Sequence, residues 1–303
     1  MEVFVTGPTG VLGRPVLRLL AERGHRVRAL ARGEQRATAI RELGAEPVVA
    51  GLFDPDSLRL AVAGAEAVLH LATWIPAFSQ AGRPGAWAEN DRIRSEGTRR
   101  LVDAALGAGV SALVYPSVVF VYPDRGDEWI DAAATSPDPS PTAVVRSTLT
   151  AEVEVARFTA AGGRGVVLRM GLFYGPGAGS TEDTLRLARR GLASVIGAGG
   201  AYQSSVWVED AASAVVAAME RAPAGVYDAT DDDPLTRREL TSALAAAVGR
   251  HRLLRLPGPV ARLLGGRPLM RSQRVSNRRL KEATGWSPSV PSAREGYRRL
   301  AAG

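Results

Sequence analysis

The 303-residue chain contains no cysteine, which excludes a disulfide framework, a thiolate metal site and a cysteine nucleophile. Histidine is nearly as scarce. His25, His70 and His251 lie far apart in sequence, so no histidine-rich metal site is expected. No apolar run approaches the roughly 20 residues that a membrane helix needs. The longest, residues 211–219, is interrupted by Ser213. No charged leader with an apolar stretch precedes Val3, Phe4 and Val5, so the expectation is a cytoplasmic protein with no membrane partner.

The most consequential scarcity is lysine. Of 38 Lys+Arg residues only Lys281 is lysine, which leaves 37 arginines. Any mechanism that needs a catalytic lysine must use Lys281 or fail. The formal net charge of +7 could signal nucleic acid, but the arginines are scattered among 31 acids. A solvated surface is the simpler account, and the expected partner is a small molecule, not nucleic acid.

At roughly 150 residues per domain, the length fits one large or two modest domains with a real core. Short apolar runs alternate with amphipathic ones. Strands are predicted at 2–5, 25–31, 46–49, 67–71, 166–169 and 225–229, with a fifth strand made of 112–115 and 118–121. Helices are predicted at 11–23, 36–43, 57–63, 95–108, 149–161, 181–190, 208–220 and 236–248. A Ser/Pro/Asp-rich stretch, 135–142, reads as a loop, and the Pro/Gly-punctuated tail ends in short helices. Strand–helix alternation of this kind predicts a parallel sheet covered on both faces.

Thr6, Gly7, Pro8, Thr9, Gly10, Val11, Leu12 and Gly13 join the first strand to the first helix. Glycines there let backbone approach a pyrophosphate, and the helix N-terminus adds free N–H groups and a favourable dipole. The second strand ends in Arg32, and Arg14 follows the last glycine. An acid at that strand end would bind a ribose 2′-hydroxyl, whereas arginine suits a 2′-phosphate. NADP is therefore expected over NAD.

These features, with His70-Leu71-Ala72, Gly97-Thr98, Val121-Tyr122, Arg169, Tyr174-Gly175-Pro176, the run 206–210 and the closing Gly285-Trp286-Ser287-Pro288, give a specific resemblance. The chain resembles an extended short-chain dehydrogenase/reductase of the NAD-dependent epimerase/dehydratase type, over nearly its whole length. The resemblance implies an α/β fold, a doubly wound Rossmann sheet with a smaller C-terminal α/β substrate domain. The Rossmann part would take 1–170, with return elements at 206–229; the substrate part would take 171–205 and 230–303. It further implies that Leu52, Leu71 and Ala72 line the cofactor, that His70 packs beneath it, and that relatives often pair as homodimers through 95–108 and 149–161.

Members of this family use a Ser, a Tyr and a Lys four residues after the Tyr, and here that pattern breaks. Matching the run 148–152 to the family places Thr148 at the lysine, Val144 at the tyrosine and Val118 at the serine, with Ser117 one residue earlier. Arg94 stands where the family has an Asn, and Gly51 where it often has an Asp. Valine cannot donate a proton and threonine carries no charge, so other residues must act. Ser117, Tyr122 and Arg146 are the catalytic candidates. Trp74, Trp129, Tyr174 and Arg274 are the substrate candidates, with Trp207 also placed near the cleft. Arg267, Arg271, Arg274 and Arg278 fall at near-helical spacing, and Arg274 best matches the arginine that grips a diphosphate in relatives acting on nucleotide sugars. Three functions stay open: an NADP(H) oxidoreductase or epimerase on a bulky or aromatic secondary metabolite, a non-redox isomerase, dehydratase or cyclase, and an NADP(H) sensor.

Overall fold

The computed structural model describes residues 1–76, 80, 83–138, 142–255 and 270–302. Seven strands form its central sheet: β1 (Glu2–Thr6), β2 (Arg26–Ala31), β3 (Glu46–Val49), β4 (Ala67–His70), β5 (Ala112–Val118), β6 (Arg164–Met170) and β7 (Gly225–Ala229). Their order across the sheet is β7-β6-β5-β4-β1-β2-β3, and every pairing is parallel. The order reverses beside β1, and in such sheets ligands bind at the strand C-termini flanking that point.

Helices cover both faces because the strands are apolar on both. Val3, Val5, Ala29, Leu69, Val114 and Leu168 pack against α1 (Gly13–Glu22), α2 (Glu34–Glu42) and the later α8 (Val208–Arg221). Phe4, Leu30, Val68, Leu113 and Val167 face the other way, against α3 (Pro55–Val62), α5 (Thr98–Gly107) and α6 (Ala143–Ala160). Local chemistry starts α3 where expected. Asp54 accepts the backbone N–H of Asp56 at 3.2 Å ahead of Pro55, a combination that satisfies a free helix N–H and presets the first turn. A third apolar cluster lies around α7 (Gly179–Arg189) and α9 (Arg237–Ala247), with Tyr174, Trp207 and Tyr297 stacked within it.

Four features differ from the sequence expectation. The fifth strand is continuous through Val118, and the predicted second half, 118–121, mostly closes into a 3-10 turn at Val119–Val121. α6 begins at Ala143 rather than 149. The helix expected at 95–108 is preceded by α4 (Ala88–Arg92), and a π-helical stretch, Ile93–Gly97, joins α4 to α5. In the tail, Arg274 lies in a two-residue strand beside Trp129, and Arg278 opens α10 (Arg278–Thr284), so the expected helical row of arginines does not form; Arg267 lies outside the described residues. Among the described residues no helix is long and apolar enough to cross a membrane.

Candidate functional site

The turn after β1 is built for close approach. Gly7 takes φ +68°, and a Cβ on it would stand 2.7 Å from the Ala72 backbone. A Cβ on Gly13 would stand 2.2 Å from the Gly7 carbonyl oxygen. Gly10 donates its N–H to the Gly7 carbonyl at 3.2 Å, closing the turn. Val11 is exposed at the turn while Leu12 anchors it in the core. Glycine at 7 and 13 therefore lets the turn fold tightly onto the backbone of Leu71 and Ala72 and onto its own carbonyls, at the N-terminus of α1, where free N–H groups favour a phosphate.

A groove of about 180 Å³ runs from this turn along the ends of β2 and β3. Gly7, Thr9, Arg32, Arg36, Leu52 and Ala72 are among its walls. Leu52 is wedged against Gly97, where a Cβ would come within 2.8 Å of it. Arg32 lies at the groove mouth, and so does Arg36, which the sequence reading did not single out. Arg36 sits on the first turn of α2 and donates to Thr9 Oγ1 at 3.1 Å. Its position four residues past Arg32 was the available signal. Arg14 turns back on the glycine turn, its Nε 3.2 Å from the Thr9 carbonyl. Glycine turn and flanking guanidiniums suit a dinucleotide.

Thr6 and His70 form the floor. Thr6 Oγ1 accepts the Ala72 N–H at 3.2 Å and is hydrogen-bonded to His70 Nδ1 at 2.7 Å. His70 Nε2 is hydrogen-bonded to Thr98 Oγ1 at 3.1 Å. Burial, reinforced by the nearby charge of Arg94, holds the His70 pKa down to about 3, so the ring is neutral. Thr6 thus supports the cradle through Leu71 and Ala72, and its side chain is committed beneath it.

The catalytic candidates fare differently. Ser117 is buried and donates to Glu152 Oε1 at 2.5 Å; Arg169 clasps the same carboxylate at 3.1 and 2.7 Å. Tyr122 is wholly buried, its hydroxyl 2.8 Å from Asp228 Oδ1 and its ring under Arg169. Desolvation and the Asp228 charge push its pKa upward, the opposite of what a proton-transferring tyrosine needs. Both are core residues joined in one network, not exposed acids. Their register explains it: Ser117, Arg169 and Asp228 are direct neighbours across β5, β6 and β7. Arg146 is exposed on α6.

The substrate candidates also divide. Tyr174 is buried, donating to Asp231 Oδ2 at 2.9 Å and packing edge-on against the buried Trp207; both belong to the third apolar cluster. Trp74 is half exposed, with the Arg32 guanidinium 5.8 Å from its ring, which places it beside the cofactor groove. Trp129 is also half exposed, and Arg274 stacks between it and Tyr202 at 4.2 and 4.9 Å. The lone lysine, Lys281, is ion-paired to Asp232 at 3.0 Å. Arg94, by contrast, is buried. Its Nη1 donates to the Tyr115 hydroxyl at 2.8 Å and to Thr148 Oγ1 at 2.9 Å. Among the described residues no cluster of His, Asp and Glu could hold a metal.

A sequence model of the NAD dependent epimerase/dehydratase family matches residues 3–229. The chain belongs to that family. The 3-diazoavenalumate denitrifying reductase of a Streptomyces species is 35% identical over 311 residues, covering 99% of this chain and 100% of the relative. The 2-alkyl-3-oxoalkanoate reductase of Stenotrophomonas maltophilia is 29% identical over 269 residues, covering 84% and 77%. Among solved structures, the human epimerase family protein SDR39U1 with NADPH superposes at a TM-score of 0.83 with 26% identity, covering 100% of this chain and 99% of that one. The Thermus thermophilus UDP-glucose 4-epimerase complex with NAD, 24% identical at a TM-score of 0.76 and covering 100% and 98%, shares the fold. This family member is thus an extended short-chain dehydrogenase/reductase of oxidoreductase type within an NAD(P)-binding family.

Proposed function

We propose that the protein is an NADPH-dependent reductase whose acceptor needs no enzyme-borne tyrosine–lysine pair. The observation that carries the cofactor half is the groove beside the glycine turn, which both Arg32 and Arg36 line. Two guanidiniums there favour a 2′-phosphate by charge and fork geometry. Gly7 to Gly13 would hold the pyrophosphate, and Leu52 and Ala72 would pack against the adenosine half.

The acceptor half follows from what is missing. The sole lysine is paired with Asp232, Tyr122 is locked on Asp228, and Val118 and Val144 stand where a hydroxyl would act. Carbonyl reduction needs a proton donor beside the hydride acceptor. An aryl diazonium does not: NADPH, when bound, supplies one hydride to the ring carbon as dinitrogen leaves with the C–N bonding pair, giving Ar–H, N₂ and NADP⁺. The 35%-identical relative is named for a diazo acid, which supports this acceptor class for the present chain. The role of the fold is then to hold cofactor and arene together and exclude water, which would otherwise capture the arene as a phenol. Trp129, stacked on Arg274, supplies an aromatic wall suited to a bulky metabolite.

The test is anaerobic turnover of an aryl diazonium carboxylate and, separately, an aryl ketone with NADPH deuterated at C4. Deuterium in the arene with one N₂ per NADPH consumed is the expected result. Ketone reduction alone would refute the acceptor assignment. NADPH binding without oxidation by either would point to a sensor, and no binding at all to non-redox chemistry.

A further inference from the structure

The π-helical stretch Ile93–Gly97 buries two consecutive residues that look in different directions. Ile93 lines the nucleotide groove, and Arg94 reaches toward β5 and α6. A π turn seldom persists unless its altered phase puts a side chain to use. The hydrogen bonds of Arg94 do not balance its charge. Its Nη1 meets only two neutral hydroxyls, those of Tyr115 and Thr148. Its Nε is buried with no partner. Among the described residues no carboxylate pairs with it: Glu152 is clasped by Arg169, Asp91 takes the Ser147 hydroxyl, and His70 beside it is neutral.

A buried guanidinium without an anion is costly, so a fold that keeps one has a use for its charge. The edge of the group that carries Nε and Nη2 is the fork that grips two oxygens side by side. We propose that this edge of Arg94 binds a carboxylate, or another paired-oxygen anion, of the acceptor substrate beside the nucleotide. On the reductase reading the phosphates of the dinucleotide would go to the glycine turn and to Arg32 and Arg36, which leaves the acceptor to bring the anion. The inference rests on the reductase reading for the identity of the cleft, and it adds that the substrate is an acid.

The test uses benzoate and its neutral isostere benzamide as probes of the NADPH-saturated protein, by calorimetry. Benzoate is expected to bind about tenfold or more tightly than benzamide. Arg94→Gln is expected to erase that preference while leaving NADPH affinity within about threefold. Equal binding of the two probes by the unmodified protein overturns the proposal. So does an Arg94→Gln protein that keeps the benzoate preference but loses NADPH affinity, because the fork would then serve cofactor oxygens. Should Arg94→Gln fail to fold, Thr148→Val removes one of the two anchors of Nη1 and leaves the charge in place. Weakened benzoate binding there supports the proposal, and unchanged binding overturns it. NADPH failing to bind would overturn the reductase reading alone; the same two probes on the unliganded protein would then decide the anion site.

Discussion

His70 offers the sharpest test of the cleft floor. The ring is 1% exposed, hydrogen-bonded at both nitrogens to neutral hydroxyls, and held neutral by burial and by Arg94. Its pKa is about 3, against 6.5 for a free histidine, so the unfolded chain binds the extra proton first. The stability that the neutral ring contributes is complete above pH 6.5 and is lost as pH falls toward 3. At pH 5 the loss is about 2 kcal/mol, roughly 3 °C in Tm for a chain of this length. Asp228 works against it in the same interval: desolvation raises its carboxyl to about 7 from 3.8, so its folded form gains stability as pH falls through that range. The raw pH curve of the protein therefore mixes both groups. The difference between the protein and His70→Gln isolates one. Urea melts of the pair at pH 8 and pH 5 are expected to converge by about 2 kcal/mol at the lower pH. A difference that does not change with pH, or an imidazole carbon resonance that titrates near 6.5, would refute the account of a neutral, enclosed ring.

Further expectations concern the neighbouring network and the cofactor groove. Asp228→Asn should be relatively more stable than the parent at pH 8 than at pH 4, since only the parent carries a buried carboxylate there; urea midpoints at both values check it. Arg32→Gln with Arg36→Gln should weaken NADPH by about tenfold per arginine, the worth of one partly screened charge-assisted contact, and leave NADH nearly unchanged. Parallel fluorescence titrations of the two nucleotides read that selectivity directly, and an equal loss for both would deny the 2′-phosphate assignment. Gly13→Ala places a Cβ 2.2 Å from the Gly7 carbonyl oxygen, so the turn must shift. It should cost about 1–3 kcal/mol in thermal melts and abolish tight binding of either nucleotide.

Much of the molecule is written locally. Apolar runs of strand length, amphipathic helices between them and the glycine turn after β1 are all patterns within a few residues. The sequence by itself therefore determined the parallel sheet, the dinucleotide cradle and the scarcity of lysine that bars a lysine mechanism from α6. Arg32 belonged to that reading because it follows β2 directly.

The candidate active groups were not legible, because their meaning depends on partners far along the chain. Tyr122 and Ser117 look like ready hydroxyls at a strand end, yet Asp228, 106 residues on, and Glu152, 35 residues on, claim them. Only register across β5, β6 and β7 creates that network. Tyr174 likewise goes to Asp231, inside the third apolar cluster. Arg94 is the reverse case. In sequence it marks only a departure from the family's Asn, whereas in the fold a widened helical turn carries its charge inward to Tyr115 and Thr148. Helical phase and burial decide where a side chain points and whether its charge is answered, and both are settled by packing among remote elements rather than by neighbours in the chain.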